Sequence, residues 1–408
     1  MRNINYYDSK KTICSVFVIL ALWTFGMDAA SLPPDPDNAA LLYYQAFLLR
    51  PEPDAETSTS IDEVISGGEP DEKLREYLNL PDCRETIELV DAAAQLPYCD
   101  WGIRYSKGLE ANLPLLVHFR RLSFLIYADA IVLATDGDYR AALSRCLTMR
   151  QLAGHVGDDL LINYLLSLQL DGLAHRCTQD ILGLMPPDID ILTWLRGRLA
   201  ALQGLAPGLA RALEIDLEMV LQSMRKDVDS LSWLRGQLAE KADDESIKDE
   251  ILGLTDEELI AFIRKPNIDF LNSIFCVIDS EMTYEEKILK IQRLMKEMDD
   301  ECTVYNFVGR RTDEHYNIKI RNTAHLNALK AAIEIYIATA NSGQLPDTLP
   351  DYLPKDPFSG QDFEYEIIER GFVLRCRAKD ILASQALQPP GVSQDVVHEY
   401  EFEVQMQD

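Results

Sequence analysis

The chain has 408 residues, 47% of them hydrophobic, and 67 acidic against 39 basic side chains give a formal charge of −28. That much apolar material excludes an intrinsically disordered protein, and a field of that sign repels phosphate backbones and anionic lipid headgroups, which excludes nucleic acid as a partner. The length exceeds the usual single domain, so a large body with a smaller module is expected.

The run Thr12 to Met27 is uncharged and mostly apolar and follows Lys10 and Lys11. As a helix it covers about 24 Å at ~1.5 Å per residue, short of the ~30 Å hydrocarbon core, which suits a signal peptide better than a permanent span. Small residues at Ala29, Ala30 and Ser31 put cleavage after Ser31. The protein is therefore expected outside the cytoplasm, in the periplasm or cell envelope or secreted. An uncleaved N-terminal anchor is the alternative, with residues 12–27 as its one membrane contact. Eight cysteines, one of them Cys14 in the leader, do not make a disulfide scaffold. Cys83 and Cys99 flank a helical pattern that separates them by about 24 Å, beyond the ~7 Å limit for a bridge, so they are expected unbonded. Cys146, Cys177 and Cys276 fall in helical patterns and are expected as buried free thiols.

From Pro81 to about Asn341 the apolar residues recur with helical period. Leu113 to Thr135 is apolar nearly all round, as a helix buried among others would be. Asp136 to Asp138 turns the chain, a second helix runs from Tyr139, Gly157 to Asp159 turns again, and a third helix covers Leu160 to about Ile181. A fourth follows Pro186 and Pro187, and two more are expected in Pro207 to Lys226 and Asp227 to Lys241. Such short turns force antiparallel neighbours, hence stacked helical hairpins. Between Ala242 and Glu301 the composition becomes acidic, with capping boxes expected at Thr255/Glu258 and Thr283/Glu286 and a break at Pro266. This segment is either a mobile insertion or further helices of one domain.

Leu326, Leu329, Ile333, Tyr336, Ile337 and Ala340 then share one helical stripe, and Gly343 supplies the stop. Pro346, Pro350 and Pro354 hold an extended connector, and Asp356 opens a turn at Pro357. There the period changes to two. A two-residue loop at Arg370 and Gly371 would set Ile367 against Leu374 and Tyr365 against Cys376, with Glu366 facing Arg375 and Glu364 facing Arg377. Tyr400, Phe402 and Val404 mark a third antiparallel strand, which a stable hairpin module needs.

The expected fold is mainly α: an antiparallel helical-hairpin stack with a small C-terminal helix plus three-stranded antiparallel β module. The divisions are a leader at 1–31, a helical body at 32–311 with its acidic segment at 242–301, and the long helix, connector and hairpin module at 312–408. "DGDYRAA", with Gly137, Tyr139 and Ala142, resembles the turn of a tetratricopeptide hairpin, preceded by a small residue at Ala130. Asp129, Cys146 and Met149 depart from that motif and no 34-residue period recurs, so the resemblance implies a packing style over one hairpin. The order helix, G-x-x-P-x-x-L, DPF-x-G, hairpin resembles the C-terminal part of type II secretion major pseudopilins. It is also similar to the tails of uncharacterised exported bacterial proteins with a helical region ahead of them. That resemblance implies calcium candidates at Asp347, Asp351 and Asp356, for which turn formation is the competing role.

Reaction signatures are missing: there is no G-x-S-x-G, no G-x-x-x-x-G-K, no H-E-x-x-H and no C-x-x-C. The one S-x-x-K, Ser223 to Lys226, lacks the companion motifs of penicillin-binding serine enzymes. His315 and His325 stand about three helical turns apart, too far for one metal, and His118 in an apolar helix is expected as a hydrogen-bonded core residue. No catalytic residue, cofactor or metal site is expected. The sequence favours a non-catalytic exported scaffold that binds other proteins. An envelope hydrolase with carboxylates between helices and a secretion-apparatus component are the alternatives.

Overall fold

Aspartate side chains open many of the helices. Asp54, Asp71, Asp138, Asp188, Asp227 and Asp244 each accept a backbone N–H in the first turn that follows. Part of the chain's negative charge is thus helix capping, where the helix dipole favours it. The structure is a computed structural model that describes residues 36–113, 116–157, 160–202, 208–242, 244–301, 311–386 and 396–405; the expected leader lies outside them. Among the described residues it is 70% helix, with a small three-stranded antiparallel sheet near the C-terminus.

Helices α1 (Ala39–Leu49), α2 (Ala55–Ile65), α3 (Glu72–Leu78) and α4 (Pro81–Gln95) come first, and a 3₁₀ turn at Tyr105–Glu110 follows. The hairpin stack comes next: α5 (Leu116–Thr135), α6 (Tyr139–Val156) and α7 (Leu161–Leu184). Phe119, Leu122, Ile126 and Tyr127 of α5 are all fully buried, as an all-round apolar helix requires. Gly137 makes the tight exit at φ 87°. Helices α8 (Ile189–Ala201), α9 (Leu209–Met224) and α10 (Val228–Lys241) fall where the period places them.

The acidic segment contains α11 (Glu245–Gly253), α12 (Asp256–Ile278) and α13 (Tyr284–Glu301). Both capping boxes form. The Thr255 N–H donates to Glu258 at 2.8 Å and the Thr283 N–H to Glu286 at 2.9 Å. Each glutamate N–H returns a bond to its threonine hydroxyl at 3.3 Å. Pro266, however, does not separate helices; it lies inside α12. The hydrogen bond it removes belongs to the carbonyl of Phe262, a residue exposed to water, while Leu259, Ile263, Leu271 and Ile274, on both sides of the proline, hold the helix in the core. The segment therefore adds helices to the body, its buried side chains joining the same core as those of α5 to α7.

Helix α14 (Thr312–Ser342) begins well before the apolar stripe and ends at Gly343, φ 74°. Leu329, Ile333 and Tyr336 are buried, while Leu326, Ile337 and Ala340 are half-buried. The sheet has order β1 (Glu364–Ile368), β2 (Gly371–Arg375), β3 (Glu399–Glu403), all antiparallel, with a short α15 (Ile381–Ala386) between β2 and β3. Its loop has two residues, as expected, but they are Glu369 and Arg370, so Tyr365 faces Leu374 and Ile367 faces Phe372. Gly371 belongs to β2 because β3 passes against it: a Cβ there would lie 1.9 Å from the Phe402 carbonyl oxygen. A slip of two keeps every side chain on its face, so the expected Glu366–Arg375 and Glu364–Arg377 ion pairs form diagonally. Ile367 is exposed, not buried.

The far edge of β3 is covered. Gln179 of α7 donates to the Glu401 carbonyl at 2.7 Å, the Tyr336 hydroxyl of α14 donates to that of Glu403, and Gln405 donates to Gly183 at 3.0 Å.

Candidate functional site

The sequence gives α7 a polar row at Tyr164, Ser167, Asp171 and His175, and α14 one at Lys319, Asn322 and Thr323. At spacings of three and four, each row lies along one side of its helix. Tyr164, Ser167 and Asp171 of the first row and all of the second line a cavity of about 270 Å³ beside Arg150 of α6, whose apolar wall includes Ala153, Leu168 and Leu326.

Asp171 organises one side of this cavity. Its Oδ2 accepts from Asn322 Nδ2 at 3.0 Å, and its Oδ1 lies 3.4 Å from both Arg150 Nε and His175 Nε2. Burial pushes the Asp171 carboxyl up, against the pull of Arg150 and Asn322. The His175 ring meets the His325 ring edge-on at 5.5 Å; His325 pairs through Nε2 with Gln179 at 2.8 Å and stacks on Tyr400. Burial lowers both histidines to about 3, so both are neutral at pH 7. Burial and the neighbouring Arg150 also lower the Lys330 ammonium.

Hydrogen bonding here is incomplete. In the cavity lining, Arg150 Nη1, Tyr164 Oη and Asp171 Oδ1 are buried without a hydrogen-bond partner, and elsewhere on α7 so are Asn163 Oδ1 and both ring nitrogens of His175. Arg150 is 8% exposed and Tyr164 1%. Buried polar atoms are nearly always paired, so three such atoms in the lining of one cavity mark it as a candidate site.

A second concavity of about 380 Å³ lies where α7 meets β3 and the turn after α2, lined among others by Glu69, Asp180, Glu401 and Glu403. Burial raises the Asp180 carboxyl although the Tyr127 hydroxyl donates to it.

The polar centre nearest the C-terminal module is of another kind. Asp380, fully buried, receives Arg321 Nε, His398 Nε2 at 2.9 Å, Asn317 Nδ2 at 2.9 Å and the Ala383 N–H at 2.9 Å, and Tyr284 donates to Asn317 at 2.6 Å. Burial alone would raise this carboxyl, but the donors outweigh it and hold it well below the usual carboxylate range.

The motifs singled out in the sequence have structural duties. Ser223 Oγ accepts the Leu109 N–H at 2.7 Å and Lys226 donates to the Ser106 carbonyl at 2.8 Å, so the S-x-x-K pair docks the 3₁₀ turn on α9. Gly108, φ 63°, is required there, since a Cβ would meet Ser223 Oγ at 2.3 Å. Asp356 is buried, with its carboxylate taken by Phe358 N–H, Ser359 and Arg377 N–H, whereas Asp347 and Asp351 are exposed. Among the described residues no three His, Cys, Asp or Glu side chains stand close enough to hold a metal ion. His118 is half-buried and stacked on Phe47, but its Nδ1 has no hydrogen-bond partner, contrary to expectation. Cys83 is a free thiol and so is not bonded to Cys99; Cys146 and Cys177 are free thiols, and so is Cys276, which is exposed rather than buried. Glu314 pairs with Arg311, and His315 is half-buried on α14 apart from His325.

Comparison with protein families, with curated proteins and with solved structures finds no match to this chain. No described helix is long and apolar enough to cross a membrane.

Proposed function

We propose that this protein is a non-catalytic, exported binding protein of the cell envelope, a helical scaffold that engages other proteins and holds a small ligand in the cavity between α6, α7 and α14. The observation that carries this reading is the set of buried polar atoms without partners around that cavity, Arg150 Nη1 and Tyr164 Oη above all. Polar groups convergent in a partly apolar cavity are the usual mark of a ligand site. The cavity lining holds one carboxylate, Asp171, with Oδ2 engaged by Asn322 and Oδ1 lying 3.4 Å from Arg150, and no nucleophile paired with a base, which supports binding rather than turnover.

Native mass spectrometry of the full chain isolated from its own cells tests this. A small molecule bound one to one and recovered unchanged is expected. Its conversion to product during incubation would overturn the non-catalytic part, and a bare chain mass would overturn the ligand part. A pull-down from the envelope fraction tests the protein partners, and recovery of no reproducible partner counts against them.

The acidic concavity favours a second reading, an envelope hydrolase in which Asp180, its carboxyl raised by burial, serves as general acid beside Glu401 and Glu403. Under that reading Asp180→Asn abolishes release of sugars or peptides from envelope material, and absence of any release by the unaltered chain removes it.

A further inference from the structure

The cavity beside α14 is locally cationic inside an acidic chain. Arg150 and Lys319 line it against the single carboxylate of Asp171, and Lys330 is close enough to Arg150 for its ammonium to be disfavoured. Asp171 meets Arg150 at Nε, 3.4 Å away, and leaves Nη1 without a partner. A planar guanidinium with Nη1 unpaired suits a carboxylate, which accepts in the same plane. Tyr164 Oη adds one more buried group without a partner, and Ala153, Leu168 and Leu326 form an apolar wall. The volume of about 270 Å³ corresponds to about nine water-sized groups at ~30 Å³ each.

We infer that the ligand is a small organic acid, its carboxylate on Arg150 with Lys319 in support, and its short apolar body against Leu168 and Leu326. This rests on the binding-protein reading above and names the ligand class for it. The overall charge of −28 repels anions at long range, so selectivity resides in the cavity.

Isothermal titration of the full chain with sodium butyrate, sodium benzoate, inorganic phosphate and neutral butyramide tests the inference. Saturable one-to-one binding of a carboxylate and none of butyramide is expected. Arg150→Gln should weaken it at least about tenfold, Arg150→Lys less because charge remains without the fork, and Lys319→Gln about threefold. Lys319 is half-buried, so its replacement keeps the inference testable should Arg150→Gln fail to fold. Phosphate binding without carboxylate binding overturns the carboxylate assignment. Equal binding of butyrate and butyramide, or unchanged affinity in both variants, overturns the anion inference and leaves the binding-protein reading intact. If no probe binds, native mass spectrometry separates the failures: a bound neutral molecule sinks only the ligand class, while a bare chain sinks both.

Discussion

Two polar clusters share the first turns of α14 and differ in how they are satisfied. Asn317 and Arg321, four residues apart, turn to Asp380, whose carboxylate receives four donors from three segments of the chain. Lys319, Asn322 and Thr323 instead line the cavity with Arg150 and Asp171, where three buried atoms lack partners. A buried network with every member paired fixes geometry, whereas one with members left over stores a cost that a ligand can relieve. The first cluster thus ties the C-terminal module to α13 and α14, and the second is the place to look for binding.

The sharpest way to break the comparison is to remove the centre of the satisfied cluster. Asp380→Ala strands Arg321, His398 and Asn317 and should cost about 3–5 kcal/mol of unfolding free energy, measured by urea denaturation. A loss below 1 kcal/mol would mean the knot holds nothing together.

The two clusters should next separate by pH. His175 and His325 are depressed to about 3 by burial, against about 6.5 unfolded. As pH falls below 6.5 the unfolded chain takes up protons that the folded histidines refuse, so stability drops toward pH 3, by about 2 kcal/mol per histidine at pH 5. The depressed Asp380 carboxyl acts lower: its contribution is complete above the unfolded value of about 3.9 and fades only as pH falls beneath it. Stability curves from pH 7 to 3.5 should therefore slope already at pH 6, and His175→Leu should flatten that slope by about one proton. An unchanged slope in that variant would show that His175 titrates normally.

A matched pair of hydroxyl deletions gives the finest contrast. Tyr284→Phe removes the donor to the buried Asn317 oxygen and should cost about 1–2 kcal/mol. Tyr164→Phe removes a buried hydroxyl with no partner and should change stability by less than about 0.5 kcal/mol, or raise it. Equal costs would erase the distinction between the clusters.

Much of the architecture was legible because it is local. Asp138 caps a helix, Gly137 and Gly343 adopt positive φ, and Thr255 and Glu258 close a box, all within a few residues of one another. The hairpin register was legible only to within a two-residue slip, because the constraint on Gly371 comes from β3, some thirty positions on. Pro266 misled for a related reason, since core packing on both sides of it outweighs one missing hydrogen bond. The cavity was not read at all. Arg150, Asp171 and Asn322 lie on three helices, and their meeting is a matter of tertiary packing. A signal did exist in the polar residues spaced by three and four along otherwise apolar α7, yet nothing local connects them to α14. His325 was noticed, but tested against His315 on its own helix instead of His175 across the groove.

The anchoring of β3 on α7 bears on the order of events during synthesis. Residues 399–403 leave the ribosome more than two hundred positions after Gln179 and Gly183, the groups that grip the strand and Gln405 just beyond it. Until then β2 has an open edge, and the ring of His325 lacks Tyr400 as its cover. The seam between α7 and the sheet therefore closes only with residues 399–403.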